Sequence, residues 1–196
     1  MKIGQKALVA NAALLILAGS SVCADDFIFH TKSLVGFEVG YSSAVVQTDD
    51  ATKPLNSYYR KPSAGFKIGA EGENYRVFIG IRNYFVSGEF DYLTTYGIDG
   101  QYMFNFSKYA NFFIGANFGM LDAKFQASGE RFNREFSDPY YGGDAGFNIH
   151  INETFDFELG ARYMTTDASN FKNGITYEFD RIATGYASII IKYEAK

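Results

Sequence analysis

Residues that could perform acid–base catalysis are rare in this sequence. It contains two histidines, His30 and His150. Acyl transfer requires a nucleophile, a general base and an orienting acid within hydrogen-bond reach of one another. Neither His30-Thr31-Lys32-Ser33 nor His150-Ile151-Asn152 contains a His-x-Ser arrangement, and the longest connecting segments contain no histidine. We therefore expect no catalytic site.

Other motifs that could carry chemistry have structural interpretations. Asp156 and Glu158 point to the same face of a strand, as the two carboxylates of a glycosidase would, but ion pairing with nearby bases is the better interpretation. The glycines of residues 142–146 do not open a helix, so a phosphate-binding loop is not expected. The acidic and histidine residues form no compact ligand cluster. The sequence therefore predicts neither a metal nor a cofactor.

The first 24 residues have the features of a cleavable export signal. Lys2 and Lys6 precede an apolar stretch over residues 7–18, and Val22-Cys23-Ala24 suits signal peptidase. The apolar stretch is shorter than the roughly 20 residues that a membrane-spanning helix needs. We expect cleavage after Ala24, which leaves residues 25–196 as one domain. That domain has no cysteine, 16 basic and 22 acidic residues, and a net charge of −6.

Composition restricts the class of protein. The chain has 20 Phe, 15 Tyr, 20 Gly and 3 Pro, a mixture that favours strands over helices. A hydrophobic content of 47% excludes a disordered protein. The full sequence has 22 acidic and 18 basic residues, so acidic residues are in excess. We therefore expect no nucleic-acid partner.

Large apolar residues alternate with small or polar ones along most of the remaining chain. A period of two is typical of β-strands, whose successive side chains point to opposite faces. The alternation predicts eight strands, over residues 35–41, 66–71, 76–85, 96–104, 112–120, 144–151, 155–163 and 183–193.

The two faces of these strands differ in character. One carries the large apolar residues and no charge, and the other combines glycines with charged side chains. Inside a narrow barrel glycines relieve crowding, and opposite charges can pair. We expect an inside-out barrel whose interior is filled by Phe78, Tyr84, Phe113 and Tyr186. Its predicted interior ion-pair network is Glu38, Lys67, Glu71, Arg76, Arg82, Asp99, Asp144, Asp156, Glu158, Arg162 and Lys192.

Connections between the predicted strands alternate between long and short. The short ones are residues 72–74, 105–110 and 152–154, and the long ones are 47–62, 87–94, 122–140 and 165–175. Transmembrane barrels have short periplasmic turns and longer outer loops. Aromatic residues also collect near both ends of the strands, as expected at two membrane interfaces.

These features together resemble the small outer-membrane barrels of the OmpA/OmpX type. The resemblance covers residues 25–196 as an architecture. Gly185, Ile189, Ile191 and Tyr193 resemble the assembly signal of such barrels, although three residues follow the aromatic. The resemblance implies an all-β, eight-stranded antiparallel up-and-down transmembrane β-barrel, monomeric, in a Gram-negative outer membrane. It implies outer-membrane lipids, lipopolysaccharide and the outer-membrane assembly machinery as partners.

We expect any specific function to lie in the long outer loops. Residues 122–140 interleave aromatic and charged side chains, and we interpret Phe125, Arg131, Phe132, Arg134 and Phe136 as a candidate outer-loop binding surface for a host or matrix protein. The hypothesis is a non-enzymatic barrel with a structural or surface-interaction role in envelope integrity or adhesion. A lipid-modifying enzyme and a narrow pore remain alternatives. A soluble barrel of the lipocalin type would require the opposite assignment of faces.

Overall fold

The part of the chain that the structure describes forms nine antiparallel strands. The structure is a computed structural model that describes residues 32–50, 55–85, 89–126, 133–172 and 174–194. The strands are β1 (Lys32–Thr48), β2 (Asn56–Glu71), β3 (Tyr75–Tyr84), β4 (Phe90–Ser107), β5 (Ala110–Phe125), β6 (Arg134–His150), β7 (Phe155–Thr166), β8 (Ser169–Lys172) and β9 (Ile175–Glu194). No helix in the described ranges is long and apolar enough to cross a membrane. The predicted signal, residues 1–24, and His30 lie outside those ranges.

Eight of the strands close into a ring. Each strand from β1 to β6 pairs with the next one in the chain, β7 pairs with β9, and β9 pairs with β1. The remaining strand, β8, has four residues and forms a hairpin with the first residues of β9. Gly174, between them, has a φ of 79°, a left-handed conformation that suits glycine in a tight turn. The predicted eight-stranded up-and-down barrel is confirmed, with one short additional strand.

The outside of the ring is apolar over a zone of membrane width. Phe37, Ile114 and Leu159 point outward with more than half of their side-chain surface exposed. Tyrosines lie at the end of this zone towards the long connections; we call Tyr41, Tyr96, Tyr141 and Tyr163 the outer belt. Another aromatic group lies towards the short turns: Tyr75, Tyr102, Phe104, Phe106, Phe155 and Tyr193. Such aromatic bands are typical of the two membrane–water interfaces.

Six strands extend beyond the outer belt because they are longer than a membrane requires. A tilted strand spans the bilayer with about 9–11 residues, whereas β1, β2, β4, β5, β6 and β9 have between 16 and 20. The projecting part, which we call the outer extension, comprises the described residues within 43–62, 89–94, 121–139 and 164–182.

The outer extension divides into two sheets because two opposite strands of the ring are short. β3 has 10 residues and β7 has 12, and three strands separate them in each direction around the ring. Beyond their ends, β8, β9, β1 and β2 form one sheet, and β4, β5 and β6 form the other. The barrel therefore opens into a two-sheet sandwich above the membrane.

The two sheets enclose an apolar core, so the strands reverse their polarity along their length. On β5, Phe118 lies in the membrane zone and is 61% exposed, whereas Phe125 lies in the extension and is 1% exposed. Their odd spacing places them on opposite faces of the strand. The core of the extension consists of Ala44, Val46, Phe90, Leu93, Leu121, Ala123, Phe125, Phe136, Met164, Ala168, Tyr177, Phe179 and Ile182, and it continues to Tyr84 and Tyr140 directly below the extension.

This reversal explains why the predicted outer loops are too long. The prediction ends each strand where its outward face stops being apolar, but the strands continue with a polar outward face. The outer connections are residues 49–55, 85–89, 126–133, 167–168 and 173–174. The predicted boundaries of the long loops, 47–62, 87–94, 122–140 and 165–175, are therefore wrong.

A β-bulge in β9 changes which residues point inward. Val45 of β1 is opposite Arg181 and Val46 is opposite Phe179, so Asp180 is the extra residue. Phe179 and Ile182 are buried on either side of the bulge, whereas Asp180 and Arg181 are both partly exposed. The bulge thus keeps apolar residues inside the extension and places an acid and a base side by side outside it.

Candidate functional site

Ion pairs connect the strands within the half of the barrel nearer the short turns. Asp156 of β7 is fully buried, with Arg76 Nη2 at 2.5 Å and Lys192 Nζ at 2.7 Å from its carboxylate oxygens. Arg76 also pairs with Glu71, and its Nη1 lies 3.8 Å from Glu158 Oε2. These contacts join β2, β3, β7 and β9 across the interior, and every partner is a charge that burial alone would strongly disfavour.

A second group of charges lies nearer the outer belt. Arg162 donates two hydrogen bonds to the two oxygens of Glu38, at 2.8 and 3.1 Å. Arg82 Nε lies 3.4 Å from Glu38 Oε1, and Arg82 also pairs with Asp99. The bidentate geometry satisfies both carboxylate oxygens of Glu38 at once, which makes this the best-formed pair of the interior.

Lys67 and Asp144 complete the predicted network in different ways. Lys67 Nζ lies 2.7 Å from Glu158 Oε1, and the ammonium group stands over the ring of Phe78. Asp144 forms no ion pair within the described ranges, although it stands opposite Arg162 in the register. The Arg162 guanidinium is turned to Glu38 instead, and Asp144 accepts hydrogen bonds from a side-chain amide and a tyrosine hydroxyl. The expected ion pair of Asp144 is therefore absent there.

His150 is part of the same polar network. It ends β6 near the short turns, and its Nδ1 lies 2.9 Å from Asp156 Oδ1. The Nδ2 atom of Asn111 lies 3.3 Å from His150 Nε2, and Lys192 Nζ lies 3.5 Å from Nδ1. Among the described residues no serine or threonine hydroxyl hydrogen bonds this imidazole. The arrangement suits a structural histidine held by a carboxylate rather than a base that activates a nucleophile.

The predicted outer-loop binding surface lies mostly inside the molecule. Phe125 and Phe136 are 1% and 2% exposed and belong to the core of the extension. Arg134 is also buried, with its guanidinium over the ring of Tyr177. The prediction that these three side chains face a partner is wrong, because the alternation that places aromatics outward in the membrane reverses in the extension. Arg131 and Phe132 lie outside the described residues.

Aromatic side chains close the seam where β2 and β4 face each other above the end of β3. The Tyr59 ring contacts Phe90 edge to face, with 4.9 Å between ring centroids, and lies 5.9 Å from Phe125. The Tyr59 hydroxyl donates a hydrogen bond to Glu89. Burial and this carboxylate raise the pKa of Tyr59. The two sheets are therefore joined by side chains here rather than by a backbone ladder.

Among the described residues, none pairs its backbone with the seam-side edge of β2 over residues 56–60. Over Asn56–Pro62 the strand pairs with β1, and its pairing with β3 begins only at Ser63. The carbonyl of Pro62 accepts a hydrogen bond from Phe85 N on the β3 side. Backbone groups of alternate residues point to the same edge of a strand. Those of Asn56, Tyr58 and Arg60 therefore point away from β1, towards the seam.

The surface of the outer extension is acidic. Its exposed or partly exposed acidic residues are Asp49, Asp50, Glu89, Asp91, Asp122, Glu135, Asp138, Asp167, Glu178 and Asp180. The basic ones are Arg60, Lys61, Lys124, Lys172 and Arg181. This excess of negative charge attracts cationic partners and repels polyanions.

Neither the seam nor the open edge was predicted from the sequence. Tyr59 falls in a segment without the outward apolar pattern, and Glu89 carries no recognisable motif. Pro62 was the available signal, because proline within a strand occurs at an edge, where no backbone donor is required. Within the ranges that the structure describes, no three histidine, cysteine or acidic residues are placed to hold a metal ion.

Comparison with solved structures identifies the fold. Neisserial surface protein A is 16% identical, with a TM-score of 0.57 over 80% of this chain and 97% of that one. OprG from Pseudomonas aeruginosa is 14% identical, with a TM-score of 0.53 over 85% and 97%. Ail of Yersinia pestis, solved with the heparin analogue sucrose octasulfate, is 14% identical, with a TM-score of 0.50 over 83% and 99%. No protein-family model matches the chain, and no curated protein matches its sequence.

Proposed function

We propose that this chain, which has the fold of the small OmpA/OmpX-type outer-membrane barrels, is a non-enzymatic protein. It binds a partner at the cell surface. The edge of β2 over residues 56–60, which pairs with no described backbone group on the seam side, is the observation that carries this proposal. An extended polypeptide segment adds to such an edge through backbone hydrogen bonds. The apolar core of the extension supports the function because it holds the edge rigidly above the membrane.

The chemistry of the extension's surface points to a basic partner segment. Its acidic residues outnumber its basic ones, and a segment rich in lysine or arginine would be attracted to it. The polyanion bound to Ail belongs to that protein, and the acidic surface here disfavours a ligand of that kind. We therefore propose adhesion or surface capture through a basic, extended segment of a host or matrix protein.

Export and assembly belong to the same proposal. Residues 1–24 act as a signal that is cleaved after Ala24, and the outer-membrane assembly machinery inserts residues 25–196 as one domain and one monomer. Gly185, Ile189, Ile191 and Tyr193 of the last strand support recognition by that machinery. Lipids and lipopolysaccharide surround the apolar zone.

The two alternative functions have less support. An enzyme needs a nucleophile beside His150, whose described contacts are Asp156, Asn111, Asn148 and Lys192. A pore needs a continuous channel, whereas three aromatic side chains that face the interior, Phe78, Phe113 and Tyr186, are almost completely buried. The apolar core of the extension lies above them. We propose a protein without catalysis and without steady conductance.

Proline substitutions on the β2 edge test the proposed function. In the double variant Asn56→Pro/Tyr58→Pro, two backbone donors that point towards the seam are lost, while the ladder with β1 is retained. We expect cells that express this variant to lose most of their adhesion to immobilised extracellular matrix. Adhesion is measured against cells that express the unaltered chain at equal surface density.

The matched control is Asn56→Ser/Tyr58→Ser, which removes the same side chains and keeps both backbone donors. We expect this control to adhere like the unaltered chain. If both double variants adhere normally, the β2 edge has no role in binding. If the serine variant is as defective as the proline variant, side chains rather than the edge recognise the partner.

A further inference from the structure

We propose that the outward face of β7, β9, β1 and β2, just above the outer belt, binds a phosphorylated glycolipid of the outer leaflet. The phosphate lies between Arg60 and Arg181, and an acyl chain lies in the adjoining apolar depression, which extends from β9 across β7 and β6. This site rests on the barrel fold and on its position in the membrane. It is separate from the proposed binding of a protein partner, which depends on backbone groups at the β2 edge.

The register of the strands creates a shallow floor bounded by larger side chains. Ser43 of β1 is opposite Arg60 of β2 on one side and Ala183 of β9 on the other. Ala183 is in turn opposite Tyr163 of β7. Because neighbouring strands lie about 4.8 Å apart, the small side chains of Ser43 and Ala183 leave a recess two strands wide. An arginine borders this recess on one side and a tyrosine on the other.

The outward-facing residues one step further from the membrane complete the boundary of the recess. Val45 is opposite Tyr58 on one side and Arg181 on the other. Although Val45 points outward, it is only 3% exposed, so its larger neighbours cover it. Tyr58 is 60% exposed and the Arg181 side chain is 39% exposed, which keeps both polar groups accessible to a ligand. Two guanidinium groups and two tyrosine hydroxyls therefore border the recess.

Arg181 retains the capacity to bind an anion although it already has a partner. Its Nη1 lies 3.0 Å from Asp180 Oδ2, and the Asp180 carboxylate also accepts a hydrogen bond from Gln47 Nε2 at 3.2 Å. A guanidinium group has five N–H donors, so one carboxylate does not exhaust it. Arg60 is exposed and forms no ion pair with any described residue. Arginine is well suited to phosphate because its planar fork can donate two parallel hydrogen bonds.

An apolar depression continues from the recess towards the membrane centre. It has a volume of about 680 Å³, and Gly143, Ala145, Ala161 and Gly185 contribute to its lining. A Cβ atom added at Gly185 would meet no atom within 4 Å, which shows that this part of the surface is open. The recess and the depression share Ala183 and Tyr163, so an acyl chain that fills the depression adjoins a headgroup bound at the recess. The combination of cationic recess and apolar depression fits an anionic lipid rather than a free phosphate.

Within the described residues, the opposite side of the barrel lacks this combination. There the Asp122 carboxylate lies close to Tyr96 at the outer belt. Lys124, the outward base on the same strand, is paired with Asp91 at 3.1 Å. On that side an anionic headgroup would meet Asp122 and one paired lysine, whereas on the proposed side two arginines border the recess and one carboxylate, Asp180, lies beside them. The asymmetry supports one site on the β2–β1–β9 face rather than a general attraction to lipid.

Lipid A binding by purified protein tests the headgroup part of the proposal. The unaltered chain and Arg60→Gln/Arg181→Gln are titrated in detergent with bisphosphorylated lipid A, and the bound fraction is read by native mass spectrometry. We expect the double variant to bind roughly tenfold more weakly, or about 1.4 kcal/mol. Lys124→Gln, which removes an outward base from the other face, should bind like the unaltered chain. Equal weakening by Lys124→Gln, or unchanged binding by the double variant, would overturn the assignment.

A second pair of variants tests the acyl-chain depression. Ala161→Leu fills the depression, whereas Ala116→Leu places the same side chain at an exposed position of β5 outside it. We expect only Ala161→Leu to weaken lipid A binding, while both variants retain the unheated gel mobility of a folded barrel. Dephosphorylated lipid A should bind weakly to every variant. Equal affinity for phosphatidylglycerol would contradict the choice of a glycolipid.

These outcomes are distinguishable from a failure of the proposed partner binding. Arg60→Gln keeps the backbone donor at the β2 edge, so loss of lipid A binding with normal adhesion supports the lipid site alone. Asn56→Pro/Tyr58→Pro and its serine control both retain the two arginines and both lose the Tyr58 hydroxyl. Equal lipid A binding by these two variants, with adhesion lost only in the proline variant, separates the β2 edge from the lipid site.

Discussion

Replacement of Glu38 by leucine lowers the free energy of unfolding by about 3–5 kcal/mol, the usual loss when one partner of a buried ion pair is removed. Glu38 is 4% exposed and lies between Arg162 and Arg82. Without its carboxylate, both guanidinium groups remain buried, and among the described acids only Asp99 is also within ion-pair distance of both. Urea titration in detergent, followed by the mobility of unheated protein in gels, measures the change.

Two further variants show that the loss comes from uncompensated charge. Glu38→Leu/Arg162→Met removes the bidentate pair as a unit, and it should recover much of the stability lost by Glu38→Leu, because apolar replacements of both partners are often tolerated. Asp91→Ala breaks an exposed pair, since the Asp91 side chain is 52% exposed, and should cost less than about 1 kcal/mol. If Glu38→Leu and Asp91→Ala have equal effects, the interior pairs do not stabilise the barrel.

Replacement of Phe125 by alanine destabilises the outer extension by about 3–5 kcal/mol, as expected for a large aromatic side chain removed from a packed core. Phe125 is 1% exposed, and its ring contacts Tyr59, Phe90 and Tyr177 with centroid separations between 4.9 and 5.9 Å. These contacts join β2 of one sheet to β4 and β5 of the other. We expect faster proteolysis of the extension, while the membrane-spanning part remains folded.

Phe118→Ala is the matched control, because Phe118 is on the same strand and is 61% exposed on the lipid-facing side. Its truncation leaves no interior cavity, so proteolysis of the extension should be unchanged. Limited proteolysis of the three proteins in lipid vesicles measures the difference. A Phe125→Ala variant with normal protease resistance but reduced partner binding would restore the interpretation of Phe125 as a contact residue and contradict its place in the core.

The sequence predicted the membrane-spanning part of the fold because one physical rule applies throughout that zone. Lipid on one side and a narrow interior on the other force apolar and polar residues to alternate, as in the segment from Phe112 to Met120. The same rule fails above the membrane, where water replaces lipid. There Leu121, Ala123 and Phe125 point inward, so the apolar face of the strand changes sides. A prediction that keeps the apolar face outward along the whole strand therefore ends the strand too early.

Two features of the site depend on information that alternation does not contain. The partners of each interior charge depend on the relative shift of the strands, so Asp144 stands opposite Arg162 while the arginine binds Glu38. The open edge of β2 depends on β3 ending at Tyr84. No residue of β3 indicates that end in the sequence, and the available signal is Pro62 on the neighbouring strand. The bulge at Asp180 likewise changes the inward face without a glycine to mark it.

Site-directed spin labelling along β5 tests most directly the central claim that the apolar face changes sides along one strand. Below the outer belt the outward face of β5 contacts lipid, and above the belt it contacts water. Cys23 is the sole cysteine of the sequence and lies in the segment that the proposed cleavage removes, so the cleaved chain accepts single labels at successive positions. We predict that oxygen, which concentrates in lipid, reaches labels at Ile114, Ala116 and Phe118, and that a water-soluble nickel complex reaches labels at Asp122 and Lys124. Labels at Asn117, Leu121 and Phe125 should be shielded from both reagents. Free access of the nickel complex to Leu121 and Phe125, or its access to Phe118, would contradict the account.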